Sequence, residues 1–283
     1  MQLSNHRQPL IMGIINVTPD SFSGDGLISH RDYVAAAVAQ GQQMIVDGAT
    51  ILDIGGESSR PGAETISVDE EIRRTASVIE ALKKAGCDAA MSIDTVKAKV
   101  AEAALQAGAS IVNDVSALAG DTEMATIVAR YKAHIVLMHN ASKAHAIMRD
   151  ATIGGEYQTG VTGDIVQTVN QDLLAAVGAA LQAGIAKDKI ILDPGIGFGK
   201  TLEQNLALIN HVGKLKVLGY PVLVGPSRKS FIGRALELTV DDRLEGTAAC
   251  VAASVLRGAD IIRVHDVKFM ARVAKMTVLI GQN

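Results

Sequence analysis

Eight short apolar runs, separated by amphipathic stretches, constrain this chain more than any other feature. Runs of this length without alternation are typical of parallel strands that are covered on both faces. Between them, apolar residues recur at helical i+3 and i+4 steps, as in 68–82 and 166–181. The eight runs are 10–17, 50–54, 90–94, 110–114, 134–138, 189–193, 221–225 and 260–264. Eight strand–helix units predict an α/β fold, a single (β/α)8 barrel.

A doubly wound open sheet is the alternative fold. The first strand–helix turn lacks the Gly-x-Gly-x-x-Gly loop with which such a sheet binds dinucleotides, so the barrel is favoured. No linker or low-complexity stretch interrupts the repeat, which predicts one domain over 1–283. The fifth connection, 139–163, is longer than the others, and the sequence assigns it no role.

Composition excludes several classes of function. Of the 283 residues, 48% are hydrophobic and the net charge is −3, so no basic surface for nucleic acid or an anionic membrane is indicated. Cys87 and Cys250 form no metal-binding spacing and are predicted to be buried thiols. The N-terminal residues lack the apolar core of a secretory signal, and no run is long enough to span a bilayer. We therefore expect a cytoplasmic protein.

Polar residues close almost every apolar run, at the end where barrel enzymes carry their active sites. The groups on strands three, four, six and seven suit the amide edge of a nitrogenous ring: Asp94, Asn113, Asp193 and Lys229. Those on strands one and eight suit a phosphate: Asn16, Arg263 and His265. A carboxylate at a strand end can instead cap the next helix, and Asp94 is the strongest candidate for that role. Asp193 is the weakest, because Pro194 and three glycines delay the next helix until about residue 202.

The strand-end motifs resemble those of one known family when they are taken in order. The stretches 13–23 and 53–62 resemble the first two signatures of the dihydropteroate synthases. The segments 92–95, 113–114, 193–200, 227–230 and 263–266 match the later positions of that family. The resemblance implies a barrel that joins p-aminobenzoate to 6-hydroxymethyl-7,8-dihydropterin pyrophosphate, releases pyrophosphate, uses Mg²⁺ and is the target of sulfonamides.

The resemblance also implies residue roles. Asp193, Asn113, Asp94, Lys229 and Met138 would bind the pterin, with Lys229 helping to offset two buried carboxylates. The pyrophosphate would be held by Asn16, Ser59, Arg60, Arg263 and His265, with Asn16 reaching the Mg²⁺. Since Arg263 lies two residues before His265, both are expected to face the same side of the strand. The p-aminobenzoate slot would be formed by Phe22, Pro61, Phe198 and Ser230.

The implied chemistry is dissociative. Pyrophosphate leaves first, the pterin stabilises a methylene cation, and the neutral arylamine attacks, so no strong general base is needed. The segments 18–27 and 58–65 would exclude water. Catalytic roles fall on Asn16, Lys229, Arg263 and His265. Asp25 is a further candidate, although its carboxylate is displaced by one residue because the order here is Gly24-Asp25.

Two other functions remain open at this stage. A methyltetrahydrofolate:corrinoid methyltransferase barrel would share the pterin-edge residues but has no use for the phosphate set. A non-catalytic pterin-binding paralogue is favoured only by the exchange at Gly24 and Asp25. Family resemblance also predicts a homodimer packed through outer helices.

Overall fold

The computed structural model describes residues 8–18, 26–28, 32–57, 65–142, 147–150, 154–157, 161 and 163–282. Its strands are β1 (Leu10–Asn16), β2 (Ile51–Gly55), β3 (Ala90–Asp94), β4 (Ile111–Asp114), β5 (His134–Met138), β6 (Ile147–Asp150), β7 (Gly154–Tyr157), β8 (Ile190–Asp193), β9 (Leu223–Val224) and β10 (Ile261–Val264). Its helices are α1 (Tyr33–Val46), α2 (Val68–Lys84), α3 (Ala98–Ala107), α4 (Met124–Tyr131), α5 (Ile165–Gln182), α6 (Leu202–Asn210), α7 (Val212–Lys216), α8 (Ser230–Leu236), α9 (Leu244–Leu256) and α10 (Val267–Gly281).

Eight of these strands form one parallel sheet in the order β8-β5-β4-β3-β2-β1-β10-β9. An isolated parallel bridge between Leu192 and Val222 joins its two ends. The predicted (β/α)8 barrel is therefore confirmed. In the long fifth connection, β6 and β7 pair as a short antiparallel ribbon.

The seventh barrel strand is shorter than predicted. The run 221–225 contributes only Leu223–Val224 to the ladder. Pro221 has no N–H to donate and therefore cannot join the ladder as a normal strand residue. Its carbonyl still accepts a hydrogen bond from Leu192 N at 2.9 Å, which helps to hold this edge against β8.

The barrel has two apolar regions. A large cluster lies between the strands and the surrounding helices, as expected for parallel strands covered on both faces. A second cluster fills the barrel interior towards its amino-terminal end and contains Leu10, Met12, Ile51, Ile111, Val136, Ile191, Leu223 and Ile261, all of them buried. Because the lower interior is packed with side chains, a ligand can enter only from the carboxyl-terminal end.

Several helices begin at a polar cap. Ser67 Oγ accepts from Glu70 N at the start of α2, and Asp164 Oδ1 accepts from Val166 N at the start of α5. Thr201 and Gln204 form a reciprocal capping box at α6. Within the described ranges, no helix is long and apolar enough to cross a membrane.

Candidate active site

The carboxyl-terminal end of the barrel carries a layer of buried polar side chains on five strands. Asp53 on β2 is fully buried, and Asn113 on β4 and Asp193 on β8 are 3% and 6% exposed. Asp94 closes β3, and Arg263 lies on β10 and reaches across the barrel to both β2 and β3. We call these five residues, Asp53, Asp94, Asn113, Asp193 and Arg263, the charged layer.

Arg263 is the cation at the centre of the charged layer. Its Nε lies 2.6 Å from Asp53 Oδ2, and one terminal nitrogen lies 2.7 Å from Asp94 Oδ2. Asn113 Nδ2 donates to the same Asp53 oxygen at 3.0 Å. Burial lowers the pKa of Arg263, but Asp53 and Asp94 together raise it above its usual value, so the guanidinium stays charged. One cation thus bridges two carboxylates and connects β10 to β2 and β3, past the intervening β1.

Opposing effects act on the pKa of Asp94. Burial raises its pKa to about 7, with Arg263 working against the shift and Asp53 adding to it. Its alternative role as a helix cap is wrong, because α3 begins at Ala98 and the Ala98 N–H donates to Asp121 Oδ2. The Asp94 carboxylate is therefore available to the barrel interior.

Asp193 and Lys229 occupy the opposite side of the barrel mouth. Asp193 Oδ1 accepts from Gly195 N at 2.7 Å, and burial raises its pKa while Lys229 opposes that rise. Burial also lowers the pKa of Lys229 to about 8. Lys229 Nζ donates to the carbonyl of Ile196 and lies 4.5 Å from the centre of the Phe198 ring. Lys229 and Phe198, predicted for two different substrates, are therefore in contact.

Lys229 acts on the buried carboxylates through its charge, whereas Arg263 contacts them directly. The hydrogen bond of Lys229 goes to the carbonyl of Ile196, while Asp193 and Asp94 raise its pKa against the larger effect of burial. Arg263 contacts both Asp53 and Asp94, because its long, forked side chain can satisfy two acceptors at once.

Arg263 and His265 make different contacts at the barrel mouth. β10 ends at Val264, so the alternation of a strand does not extend to His265. The His265 imidazole instead lies 2.9 Å from Ser227 Oγ, while Arg263 points to Asp53 and Asp94. Burial, reinforced by nearby cations, lowers the pKa of His265 to about 3, so the ring is neutral near pH 7.

The run 227–230 divides between two neighbouring segments. Ser227 contacts His265, and Arg228 forms a two-point ion pair with Asp266 at 2.9 and 2.5 Å. Lys229 contacts the β8–α6 loop instead. Ser230 begins α8. The run is therefore not a solvated helix cap, because all three of its polar side chains before α8 contact other loops of the barrel mouth.

The remaining predicted residues differ in how far the structure describes them. Met138 closes β5, is 2% exposed and pairs in register with Asp193. Asn16 closes β1, where its carbonyl accepts from Leu27 N at 3.1 Å. Five predicted residues lie outside the described ranges: Phe22, Asp25, Ser59, Arg60 and Pro61. Their roles remain predictions.

A second buried network frames the segment that contains Ser59, Arg60 and Pro61. Lys97 Nζ lies 2.6 Å from Glu57 Oε2, 2.8 Å from Glu71 Oε2 and 2.8 Å from the carbonyl of Ile66. Glu57 Oε2 also accepts from Ile66 N at 3.0 Å. Lys97 thus connects the chain on both sides of this segment to α2.

Sequence reasoning missed the role of two residues. Asp53 was quoted only as part of a motif, yet it interrupts an apolar run two residues after the inward-facing Ile51, and that position was a usable signal. Lys200 is 3% exposed and donates to three backbone carbonyls. Nothing in the local sequence distinguished it from a solvated lysine.

A metal site made only of protein ligands is absent from the described part of the chain. No group of three or more His, Cys, Asp or Glu side chains there could hold an ion. Mg²⁺ prefers hard oxygen ligands and is often held largely through substrate phosphates. The side-chain oxygen of Asn16 at the end of β1 is compatible with that kind of site.

Comparison with known proteins gives the family. Residues 12–265 match the model of the family described as "Pterin binding enzyme". The chain is 46% identical over 274 residues to the dihydropteroate synthase of Bacillus subtilis, covering 97% of this chain and 89% of that protein.

Two solved structures are also similar. A Yersinia pestis dihydropteroate synthase in complex with a sulfonamide drug has a TM-score of 0.89 and 36% identity, covering 100% of this chain and 97% of that one. A Xanthomonas albilineans dihydropteroate synthase with 4-aminobenzoic acid has a TM-score of 0.85 and 36% identity, covering 99% and 95%. The chain therefore belongs to the pterin binding enzymes and, within them, to the dihydropteroate synthases, transferases of folate biosynthesis.

Proposed function

We propose that the charged layer binds the pterin ring of 6-hydroxymethyl-7,8-dihydropterin pyrophosphate and that this chain joins that substrate to p-aminobenzoate. The observation that carries the proposal is the concentration of buried acceptors and donors at the carboxyl-terminal end of the barrel interior, beyond the packed apolar cluster. A pterin presents adjacent ring N–H, amino and carbonyl groups along one edge. Matching such an edge requires several polar groups at fixed positions, and leaving any of them buried without a partner is costly.

Each member of the layer suits one part of that edge. The Asp193 carboxylate accepts two hydrogen bonds from the ring N–H and the amino group, a geometry that two oxygens provide. Asn113 both donates and accepts, and Asp94 accepts from a remaining ring N–H. Lys229 donates to the carbonyl side, and Met138 packs against the ring from β5. Arg263 keeps Asp53 and Asp94 neutralised and in place.

The departing pyrophosphate carries most of the negative charge in this reaction. Lys229 and Arg263 place two cations at the barrel mouth, and these stabilise charge that develops on the leaving group. Asn16, Ser59, Arg60 and His265 complete the pyrophosphate site. Because His265 is neutral near pH 7, it contributes a hydrogen bond and not a charge. After the C–O bond to pyrophosphate has broken, the arylamine nitrogen attacks the methylene carbon, forms the C–N bond and releases one proton to solvent.

Mg²⁺ is the expected cofactor. Asn16 would hold it together with oxygens of the pyrophosphate, and the ion would neutralise charge on that leaving group. The absence of a three-ligand cluster in the described residues fits an ion that arrives with the substrate.

The p-aminobenzoate site lies beside the pterin site. Phe198 contacts Lys229 and forms one wall, while Phe22, Pro61 and Ser230 supply the rest. A sulfonamide resembles p-aminobenzoate in shape and charge, so we expect it to compete for this same slot.

A homodimer is the expected assembly. α9 and α10 pack against each other on the barrel exterior and expose five large apolar side chains, Leu256, Phe269, Met276, Leu279 and Ile280. A second copy of the same face would remove this surface from water. Met276→Lys should then shift sedimentation from dimer to monomer, whereas an unchanged profile would contradict the use of this face. Cys87 and Cys250 are unpaired thiols, which suits the reducing cytoplasm in which we place the protein.

The test is release of pyrophosphate from dihydropterin pyrophosphate with and without Mg²⁺ and p-aminobenzoate. The wild type should form dihydropteroate, and release should require Mg²⁺. Asp193→Ala should lower kcat/KM by about 10³-fold, since removing one partner of a buried charge commonly costs ~4 kcal/mol. Asp88→Ala, a change at an exposed residue before β3, is the matched control. Tight pterin binding without product would refute the transferase and favour a binding paralogue.

A further inference from the structure

Lys200 is a buried lysine whose three donors are all used. It is 3% exposed, and its Nζ lies 3.1 Å from the carbonyl of His139, 2.8 Å from that of Gly195 and 2.9 Å from that of Phe198. An ammonium group has three N–H bonds, so three carbonyls satisfy it completely. Burial lowers its pKa to about 7, with the Asp193 carboxylate opposing that shift.

The three carbonyls belong to two segments that must meet at the barrel mouth. His139 follows β5, whereas Gly195 and Phe198 belong to the loop between β8 and α6. His139 N also donates to the carbonyl of Asp193 at 3.0 Å, and Ala141 N donates to that of Phe198 at 3.4 Å. The ammonium therefore fastens the β8–α6 loop to the end of the neighbouring strand.

Two glycines make this close approach possible. Gly195 has φ +67°, and a Cβ at that position would lie 1.8 Å from the carbonyl oxygen of His139. Gly199 also has φ +67°, and a Cβ there would lie 2.2 Å from the carbonyl carbon of Ala141. The glycines of this motif therefore allow the loop to touch its own chain at these two points.

The fastened loop presents two groups to Lys229. The carbonyl of Ile196 accepts from Lys229 Nζ, and the Phe198 ring lies 4.5 Å from the same atom. On the other side of the loop, Gly197 N donates to Asn205 Oδ1 at 2.6 Å, and Asn205 Nδ2 donates to the carbonyls of Lys200 and Thr201. Lys200 and Asn205 therefore hold the loop through hydrogen bonds to its backbone, and the same loop contacts Lys229.

We propose that Lys200 is a positioning residue that holds the β8–α6 loop so that Ile196 and Phe198 place the Lys229 ammonium group for the substrates. The proposal rests on the proposed function, in which Lys229 contacts the pterin and stabilises the leaving group. Without the Lys200 donors, three buried carbonyls lose their partner and the loop gains freedom that substrate binding must remove.

A double-mutant cycle tests whether Lys200 acts through Lys229. Lys200→Met keeps the length of the side chain but removes the donors. We expect it to lower kcat/KM about 100-fold in the wild type and less than threefold in the Lys229→Met background, because the two changes share one pathway. A similar 100-fold loss in both backgrounds would show a general structural effect and would overturn the proposal, as would no loss at all.

Lys216→Met is the matched control. Lys216 Nζ binds both oxygens of Asp260 at the opposite end of the barrel, at 2.7 and 2.6 Å. Its loss should leave kcat/KM within twofold of the wild type. Lys200→Gln, which keeps one donor group, should fall between the wild type and Lys200→Met, and it replaces Lys200→Met if that variant does not fold.

A second measurement does not depend on turnover. In protein labelled with ¹³C at the lysine ε-carbon, the ε-protons of Lys229 should be shifted upfield by the Phe198 ring, with Lys229→Met giving the assignment. We expect Lys200→Met to move that signal towards the position of a free lysine, and an unmoved signal would overturn the proposal. A wild type that shows the ring shift but makes no dihydropteroate would refute the proposed function alone.

Discussion

The interior of this barrel consists of two layers that differ in almost every physical respect, although the same strands form both. The lower layer is apolar and closely packed, and the upper one carries the five residues of the charged layer and Met138. On five strands the two layers are separated by a single step of two residues: Ile51 and Asp53, Ile111 and Asn113, Val136 and Met138, Ile191 and Asp193, Ile261 and Arg263.

The step of two residues explains how one sheet serves both purposes. Residues i and i+2 face the same side of a strand and are about 7 Å apart along it. The lower side chain gains free energy by leaving water. Burial of the upper side chain costs hydration free energy. Ion pairing offsets part of that cost, as it does for Asp53 and Asp94 with Arg263. The comparison shows that, along these strands, the residues that stabilise the fold and the residues that form the candidate site are one side-chain layer apart.

Arg263→Met should have the largest effect, because it removes the cation that contacts both Asp53 and Asp94 in the charged layer. We expect kcat/KM to fall about 10³-fold and the free energy of unfolding to fall by about 3 kcal/mol. Steady-state kinetics and urea unfolding measure the two effects. Adding Asp53→Asn should restore part of the stability, since it removes one of the unpaired charges. An equal loss in the double variant would contradict the bridging role.

Ile191→Ala probes the lower layer of the strand that carries Asp193. Ile191 is fully buried, so truncation should cost about 3 kcal/mol of unfolding free energy, and Ile191→Val about 1 kcal/mol. The kcat/KM of the folded protein should stay within twofold of the wild type. Asp193→Ala, two residues away, should show the opposite pattern, with a large loss of turnover and a smaller change in stability. Equal losses of turnover in both variants would contradict the division into layers.

His265 should make stability depend on pH. Its pKa is about 3 in the folded protein, below the ordinary value of 6.5, because it is buried near Arg263, Arg228 and Lys229. As the pH falls below 6.5, His265 becomes protonated in the unfolded chain but stays neutral in the folded protein. The free energy of unfolding should therefore fall by about 1 to 2 kcal/mol between pH 6.5 and pH 5.

Urea unfolding of wild type and His265→Gln across this pH range measures the effect, and the variant should lose that slope. His134, at the start of β5, is the matched control. Burial lowers its pKa to about 4, so His134→Gln should also reduce the slope. His134→Gln should leave turnover unchanged near pH 7, whereas His265→Gln should lower it. A full slope in His265→Gln would show that the imidazole is not the group responsible.

Most of the fold could be predicted from the sequence, because strands that are buried on both faces appear as short apolar runs. The boundaries of β3 and β5 were predicted to the residue, and α6 begins at the predicted Leu202. The seventh strand was predicted too long, since Leu223 and Val224 are flanked by residues that look apolar but do not extend the ladder. Hydrophobicity predicts which residues are buried, and backbone hydrogen bonding decides which of them pair.

The candidate site was predictable as a set of strand ends but not as a set of contacts. The sequence indicates that Asp94 and Arg263 lie at the same end of the barrel, yet they are 169 positions apart, and only the closed sheet shows that they touch. The reach of a flexible side chain is not encoded in spacing, so the contacts of Arg263 with Asp53 and Asp94 could not be predicted. Lys200 was missed for a related reason, because all three of its partners are backbone carbonyls.

Gly86→Ala should have the smallest effect and sharpens the comparison between the two ends of the barrel. Gly86 follows α2 at the amino-terminal end, with φ +75° and no atom within 4 Å of an added Cβ. The substitution should cost about 1 kcal/mol of unfolding free energy, which is the cost of a left-handed conformation alone, and leave turnover unchanged.

Gly195, at the active-site end, has nearly the same φ of +67°, but its added Cβ would meet the carbonyl oxygen of His139 at 1.8 Å. Because the conformational cost is shared, the extra destabilisation of Gly195→Ala over Gly86→Ala in urea unfolding isolates the cost of that close approach. Equal costs would mean that the β8–α6 loop can move away from His139, and the tight fastening of that loop by Lys200 would then be contradicted as well.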